Sequence, residues 1–301
     1  MNRVVARVAV TIAALLALGG CSAWKPGWTD AAPPTAGAPG DLSAVLAKAS
    51  VLAANADDRG KLAEVIALYE SALARSPGDY DVLTELCQWK ILDAAAYAAT
   101  LREKKQGFEA GIRACERALY TNGDFRDLVD RGVPIEQAAR VLTRREESAM
   151  VFWVTGVSYY FKECMRGIAT LTGIPLIRKT EPMLKRMTEI DPDYGHGAVY
   201  FSRGIFYLGL PRFAGGDRVK SAELLDRAQE LGPDSLLVRW GRAKYFHFEM
   251  RNREAFERDL RWVTQQDPHQ ASTAYAWNVY FQRDAARLLA DVDRLFRPGR
   301  R

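Results

Sequence analysis

Prolines recur at similar intervals along most of this 301-residue chain. They stand in four dipeptides that each follow a stretch of helical periodicity: Ser76-Pro77, Asp191-Pro192, Gly232-Pro233 and Asp267-Pro268. Because proline disfavours helix in the residue before it, each dipeptide is predicted to end one helix and open a turn. The interval from Pro233 to Pro268 is 35 residues, and that from Pro192 to Pro233 is 41, or 34 without a seven-residue insertion at 211–217.

A repeat of about 34 residues is typical of tetratricopeptide (TPR) helical hairpins. Close packing in such a hairpin requires a small residue in the first helix, and small residues stand ten positions after three of the prolines: Cys87, Ser202 and Ala243. Asn278 is the corresponding residue after Pro268 and departs from the pattern. We expect its side chain to bond to backbone groups between helices.

Helical periodicity extends from Asp41 almost to the C-terminus, and strand-like runs are scarce. The last helix carries an apolar stripe at separations of three or four residues: Ala274, Trp277, Phe281, Ala285 and Leu288. The sequence therefore predicts an all-α, TPR-like helical-hairpin solenoid over residues 41–297, either open or closed around a central pore or cavity. The stretch 108–173 fits no clean repeat, and we interpret it as an insertion with helices near 112–120 and 149–173.

The N-terminus carries a lipobox, Leu18-Gly19-Gly20-Cys21, after a short apolar run preceded by Arg3 and Arg7. The run is shorter than the roughly 18 to 20 residues that span a bilayer, so residues 1–20 are predicted to be a lipoprotein signal peptide. Cleavage would leave Cys21 as the first residue, carrying a covalent lipid that anchors the chain stably. Ser22 stands where an inner-membrane retention signal normally has Asp, which favours a bacterial outer-membrane location facing the periplasm.

Residues 21–40 are rich in proline, glycine and alanine and are predicted to form a flexible tether behind the lipid. Two tryptophans, Trp24 and Trp28, stand just beyond the anchor. Their amphipathic rings either rest at the level of the lipid headgroups or are plain tether residues.

Charge gives no reason to expect a nucleic-acid partner. Removing residues 1–20 lowers the formal net charge from +5 to +3, and no block of Lys and Arg is interleaved with aromatic residues as a phosphate backbone would require. The cysteines beyond the lipobox are Cys87, Cys115 and Cys164, so one intramolecular pair at most can form. Either Cys87 and Cys115 join neighbouring helices, or all three are small buried hydrophobic residues.

No catalytic signature occurs in the sequence: there is no Walker loop, no dinucleotide fingerprint, no nucleophile elbow and no zinc-protease helix motif. The three histidines, His196, His247 and His269, are each alone in sequence. We therefore predict a protein that is not an enzyme, with no metal site and no cofactor other than the lipid on Cys21.

Aromatic residues cluster in three regions: Phe152-Trp153 with Tyr159-Tyr160-Phe161, Tyr200-Phe201 with Phe206-Tyr207, and Tyr245-Phe246-Phe248. Neighbouring residues on a helix point about 100° apart, so these rings cannot all face one core. Two explanations stay open at this point. Either the helices are packed on two sides, or some rings line a hydrophobic ligand cavity or partner groove.

Several segments together resemble the T-component of TRAP transporters, the TatT-type periplasmic lipoproteins. The resemblance covers about residues 62–289 and rests on segments 116–120, 151–156, 187–195 and 211–217, with Asn278 and 285–289. Its most specific element is the Pro-x-x-x-Gly-Gly-Asp loop at 211–217. Physically, Gly215 and Gly216 permit positive φ or close backbone approach, and Asp217 can cap a helix from Arg218, so a helix-entry turn is the alternative to a ligand loop.

The resemblance implies a protein that binds the periplasmic substrate-binding protein of a TRAP transporter and assists uptake of a hydrophobic ligand or organic anion. It also raises a homo-oligomer as an alternative to a monomer. A generic TPR scaffold lipoprotein for envelope protein assembly remains the competing hypothesis. The candidate partner- or ligand-binding residues are Trp153, Tyr160, Tyr200, Phe201, Tyr207, Arg212, Phe213, Gly215, Gly216 and Asp217.

Overall fold

A computed structural model describes residues 25–30 and 42–297, and within them it contains helices and no strand. The predicted signal peptide, Cys21, Trp24 and most of the tether lie outside the described residues. The α-helices are α1 (Leu42–Ala53), α2 (Arg59–Arg75), α3 (Tyr80–Ala96), α4 (Leu101–Tyr120), α5 (Gly123–Asp130), α6 (Ile135–Ala138), α7 (Glu147–Tyr159), α8 (Ile168–Arg178), α9 (Thr180–Ile190), α10 (Ala198–Gly209), α11 (Arg218–Leu231), α12 (Leu236–Gly241), α13 (Arg253–Gln265), α14 (Tyr275–Ala290) and α15 (Val292–Leu295). The all-α helical-repeat class is confirmed.

The four proline dipeptides mark helix ends as predicted, since α2, α9, α11 and α13 each end one or two residues before a proline dipeptide. Short turns then reverse the chain, and consecutive helices pack on each other in the pairs α1 with α2, α3 with α4, and α10 with α11. Side chains of the turn residues cap the next helix. Asp79, for example, accepts a hydrogen bond from the Val82 amide at 3.0 Å.

The α3–α4 pair is the best-defined hairpin, because small residues let the two helices approach closely. A Cβ atom added at Gly111 would lie 2.6 Å from Ile91 Cγ1. Cys87 and Cys115 form a disulfide across this interface with their Cα atoms 5.1 Å apart. Of the two alternatives left open by the sequence, the cross-link is therefore the one observed. Cys164 is a buried free thiol, and burial raises its pKa to about 11.

The helix expected over 149–173 is interrupted, which corrects that prediction. Helix α7 continues into a π-helical segment, Tyr160–Cys164, and the chain then leaves helical geometry at Met165. Gly167 adopts φ +61° before α8 begins. Apolar periodicity runs through this break because residues on both sides face the core, so a positive-φ glycine is the only local sign of the turn.

The predicted tether differs from the structure at Trp28. Residues Gly27–Asp30 form a 3-10 helix that packs on α4. The Trp28 ring stacks on Tyr120 with centroids 5.9 Å apart and meets Phe125 edge-on at 6.0 Å. Trp28 is therefore docked on the folded domain and is not a plain tether residue, while its contact with lipid headgroups stays a prediction. Its partners stand about ninety residues away in sequence, beyond the reach of a local pattern.

Candidate ligand cavity

A cavity of about 460 Å³ lies among α7, α10, α12 and α14. Helix contacts surround it: α7 touches α10, α10 touches α12 and α12 touches α14, while Phe152 of α7 stacks on Trp277 of α14 with centroids 6.2 Å apart. Eight aromatic residues line it: Phe152, Tyr159, Tyr194, Phe201, Trp240, Tyr245, Trp277 and Phe281. Its size and aromatic lining are those of a small-molecule site.

The aromatic wall is held by ring contacts of its own. The centroid of the Trp240 ring lies 4.8 Å from that of Phe281 and 5.7 Å from that of Tyr245. Trp277 in turn lies 5.9 Å from Phe281. Such offset and edge-on pairs stabilise each other by roughly 0.5 to 1.5 kcal/mol beyond area burial, and these contacts help to hold the wall in this arrangement.

A tight turn before α10 supplies another part of the wall, through Tyr194, Gly195 and His196. The backbone is left-handed at three consecutive positions, with φ +64° at Gly195, +50° at His196 and +84° at Gly197. A Cβ atom at Gly197 would overlap the carbonyl oxygen of Ala228 at the end of α11. The glycines therefore allow the turn to seat against α11 and present His196 at the cavity surface.

Two π-helical segments meet at the cavity. The segment Tyr160–Cys164 provides Lys162, and the segment Arg242–His247, which continues α12, provides Tyr245. The Lys162 Nζ atom lies 3.3 Å from the centroid of the Tyr245 ring, a cation–π contact. An extra residue per turn rotates the side chains that follow it, and π-helical turns occur frequently at functional sites.

The Lys162 side chain is partly exposed to solvent, and its ammonium group lies against the ring of Tyr245 in the cavity wall. Desolvation there, with a smaller contribution from the like charge of Lys244, lowers the pKa of Lys162 to about 7. The carboxylates of Glu163, Asp284 and Glu249 act to raise the pKa of Lys162, but they do not outweigh the desolvation.

Asp284 organises the polar groups behind the wall. Its carboxylate accepts hydrogen bonds from Trp240 Nε1 at 2.8 Å, Lys244 Nζ at 2.9 Å and Arg287 at 2.6 Å. Burial acts to raise the pKa of Asp284, but these three donors outweigh it and lower the pKa. The bond from Trp240 fixes the orientation of an indole that forms part of the cavity wall.

Two buried phenols, Tyr159 and Tyr280, lie 3.4 Å apart between their hydroxyl oxygens. Burial raises the pKa of both well above the ordinary value, so the hydroxyls stay protonated and neutral. Tyr159 lines the cavity, and its ring stacks on Phe108 of α4. The wall near Lys162 thus combines one cation with neutral hydroxyl groups.

Comparison with known families decides the affiliation of this fold. The model of the family described as TRAP transporter T-component matches residues 59–296, most of the chain. This chain belongs to the TRAP transporter T-component family. No curated protein matches it significantly. The family is one of transporter components and not of enzymes, and it places the chain in TRAP transport at the bacterial envelope.

In residues 25–30 and 42–297, no helix is both long and apolar enough to cross a membrane. Within those same ranges, no group of three or more His, Cys, Asp or Glu side chains is arranged to hold a metal ion.

Of the site residues suggested by the sequence of this T-component, only Phe201 lines the cavity. Its ring packs over Gly241, where a Cβ atom would overlap it. Trp153 is 1 % exposed and donates from Nε1 to Glu116 at 3.2 Å, in the core. Tyr160 donates to Glu109 Oε1 at 3.0 Å, and Tyr200 is half-buried against the small cluster around Leu225.

The Pro211–Asp217 loop of the T-component has the backbone geometry inferred from its sequence. Gly215 adopts φ +99°, and a Cβ atom at Gly216 would overlap the Leu210 carbonyl oxygen. Asp217 caps α11 by accepting from the Val219 amide at 2.9 Å and the Lys220 amide at 3.0 Å. The helix-entry turn is confirmed, and the loop lies outside the cavity lining.

Other candidate residues surround this loop. Phe213 projects into solvent with 81 % of its surface exposed, next to the exposed Arg212. Tyr207, at the end of α10, accepts a hydrogen bond from Lys220 Nζ at 2.7 Å on its hydroxyl group. The predicted residues therefore separate into a cavity group and a loop group on different parts of the molecule.

Lys162 and Trp240 line the cavity but were not among the residues suggested by the sequence. A usable signal for Lys162 existed, because it directly follows the run Tyr159-Tyr160-Phe161, and a lysine embedded in aromatic residues is unusual on a plain solvent face. Trp240 had no such signal. Its place in the wall depends on Asp284, which stands 44 residues later.

Proposed function

We propose that this chain is a lipid-anchored periplasmic T-component that holds an apolar ligand in the aromatic cavity and docks the substrate-binding protein of a TRAP transporter. The observation that carries the proposal is an aromatic-lined cavity of about 460 Å³ in a member of this family. Eight rings offer contact area to an apolar ligand, while a few hydroxyl groups and Lys162 provide orientation.

The Pro211–Asp217 loop is the docking element in this proposal. Phe213 is an exposed aromatic side chain on a loop whose backbone is constrained by the left-handed Gly215 and the close contact at Gly216. Protein–protein interfaces are enriched in aromatic side chains, Phe included, and in Arg, and Arg212 is adjacent to Phe213. Val219 extends the apolar surface and is 70 % exposed.

Lipidation at Cys21 would hold the domain close to the membrane. Gly27 and Trp28 are docked on α4, so only residues 22–25 and part of Pro26 separate the lipid from the folded body. At about 3.3 Å per extended residue this connection spans roughly 15 Å. The face of α4 and α5 around Tyr120 would then be directed towards the lipid surface.

In-cell crosslinking followed by purification and mass spectrometry tests the docking function. We expect a TRAP substrate-binding protein among the crosslinked partners, and we expect Phe213→Ala to reduce its recovery about tenfold. Val51→Ala is the control, because Val51 is also an exposed apolar side chain, with 70 % of its surface accessible, but lies in α1. Recovery of envelope-assembly proteins only, unchanged in Phe213→Ala, would favour the generic scaffold instead.

A further inference from the structure

The cavity wall has an uneven charge composition. Among the described residues that line it, Lys162 is the single Lys or Arg, and none is Asp or Glu. The remaining polar groups are neutral hydroxyl and amide groups, together with His196. An apolar ligand needs no cation in its site, so the presence of one in this wall calls for a ligand with a matching negative group.

Lys162 is also left without an anionic partner. Within the described part of the chain no carboxylate lies at ion-pair distance from its Nζ atom, and its close contact is the face of the Tyr245 ring. The nearby carboxylates are engaged elsewhere: Glu163 with Lys104, Asp284 with Lys244 and Arg287, and Glu249 with Arg218.

We propose that the cavity binds an amphipathic monocarboxylate, whose carboxylate pairs with Lys162 and whose apolar tail packs on the aromatic wall. The proposal rests on the cavity function proposed above and names the ligand class. An ammonium–carboxylate hydrogen bond is charge-assisted and about twice as strong as a neutral one. Because a single Lys or Arg lines the described wall, one anionic group of the ligand is matched and a second would have no cationic partner there.

The volume of the cavity indicates how large a ligand it can hold. A water molecule occupies about 30 Å³ of liquid, so 460 Å³ corresponds to about fifteen such volumes. A ligand of about ten to fifteen non-hydrogen atoms fills most of this space. Medium-chain fatty acids and monocyclic or bicyclic aromatic carboxylates have this size.

The protonation of Lys162 provides a second measurable sign of carboxylate binding. Since the pKa of Lys162 is about 7 in the empty cavity, a substantial share of the side chains is neutral at pH 7.5. A bound carboxylate stabilises the charged form, so binding draws a proton from the buffer. Glu163, Lys244, Asp284 and Glu249 are the charged groups that act on Lys162, and each of the four forms an ion pair with another residue of the protein.

Isothermal titration calorimetry of the folded protein with octanoate, and with the uncharged isostere octanamide, tests the proposal. We expect octanoate to bind at least tenfold more tightly than octanamide at pH 7.5, with proton uptake visible as a dependence of the heat on the buffer. Lys162→Met should abolish both the preference and the uptake while leaving octanamide affinity within about twofold. Lys162→Arg should keep part of the preference, and it guards against loss of folding in the Met variant.

Lys220→Met is the matched control. Lys220 also lies over a tyrosine ring, 4.0 Å from the centroid of Tyr207, but it does not line the cavity. The Lys220→Met variant should show the same preference for octanoate and the same proton uptake as the unmodified protein. Equal affinity for octanoate and octanamide, an undiminished preference in Lys162→Met, or binding of neither compound would each overturn the monocarboxylate proposal. The crosslinking experiment is carried out without added ligand. Its result therefore tests docking of the partner protein independently of the calorimetric test of ligand binding.

Discussion

The backbone amide of Gly27 donates a hydrogen bond to Glu116 Oε2 at 2.6 Å, and Trp153 Nε1 donates to the other oxygen of the same carboxylate at 3.2 Å. Glu116 is 2 % exposed, so both bonds form away from water. One carboxylate thereby ties the segment before the domain to α4 and α7. The Arg113 carbonyl oxygen lies so close to Gly27 that any side chain there would overlap it.

Trp28→Ala should release the N-terminal segment from the domain. Loss of the stacked and edge-on contacts with Tyr120 and Phe125 should lower the free energy of unfolding by about 1 to 3 kcal/mol. Urea unfolding measures this change, and limited proteolysis should show faster cleavage near residues 25–30. Trp28→Phe retains an aromatic ring, and its free energy of unfolding should fall by less than half as much as that of Trp28→Ala. Equal stability of all three proteins would mean that the docked segment contributes nothing to folding.

Cys87→Ser should cost more stability than Cys164→Ser. The disulfide closes a loop with a sequence separation of 28, for which removal typically costs about 2 to 4 kcal/mol. Cys164 is buried but forms no cross-link, so its Ser variant reports only the local cost of a hydroxyl group. Thermal unfolding with and without reductant is the measurement. A reductant-insensitive Tm in the unmodified protein would contradict the cross-link.

Glu147 should make stability fall as pH rises. It is 2 % exposed, and burial, with a smaller contribution from Asp191, raises its pKa from 4.5 to about 7, against the opposing charge of Arg144. The folded state then binds the Glu147 proton more tightly than the unfolded state does. The resulting contribution to the free energy of unfolding is fully present below pH 4.5 and is lost as pH rises through about 7.

Glu147→Gln removes this titration. Relative to the unmodified protein it should be more stable by roughly 1 to 3 kcal/mol at pH 8 and by much less at pH 4.5, as measured by urea unfolding at both values. Glu189→Gln is the control, since its side chain is 51 % exposed. A difference between Glu147→Gln and the unmodified protein that does not change with pH would rule out the assigned titration.

Gly216→Ala should destabilise the domain through the clash of its Cβ atom with the Leu210 carbonyl oxygen, by about 2 kcal/mol or more. Gly209→Ala is a close control, because no atom lies within 4 Å of a Cβ placed there. It should be neutral or slightly stabilising. If thermal unfolding gives the same Tm for both variants, the loop backbone tolerates a side chain at Gly216.

Local chemistry determined much of this protein from sequence. The proline ring disfavours helical geometry in the preceding residue, and the helices before Pro77, Pro192, Pro233 and Pro268 all end before the proline. The cap at Asp217 and the left-handed backbone at Gly215 follow from side-chain size and hydrogen-bonding capacity within a few residues. The family resemblance carried by these segments was confirmed.

Tertiary structure alone decided the cavity, the disulfide and the docking of Trp28. Lys162 and Tyr245 stand 83 residues apart, and their contact depends on two π-helical turns that no apolar periodicity reveals. Periodicity indicates which face of a helix is buried, but it does not say whether that face meets another helix or an empty space. That outcome is set by which elements pack together and how closely, which depends on contacts distant in sequence.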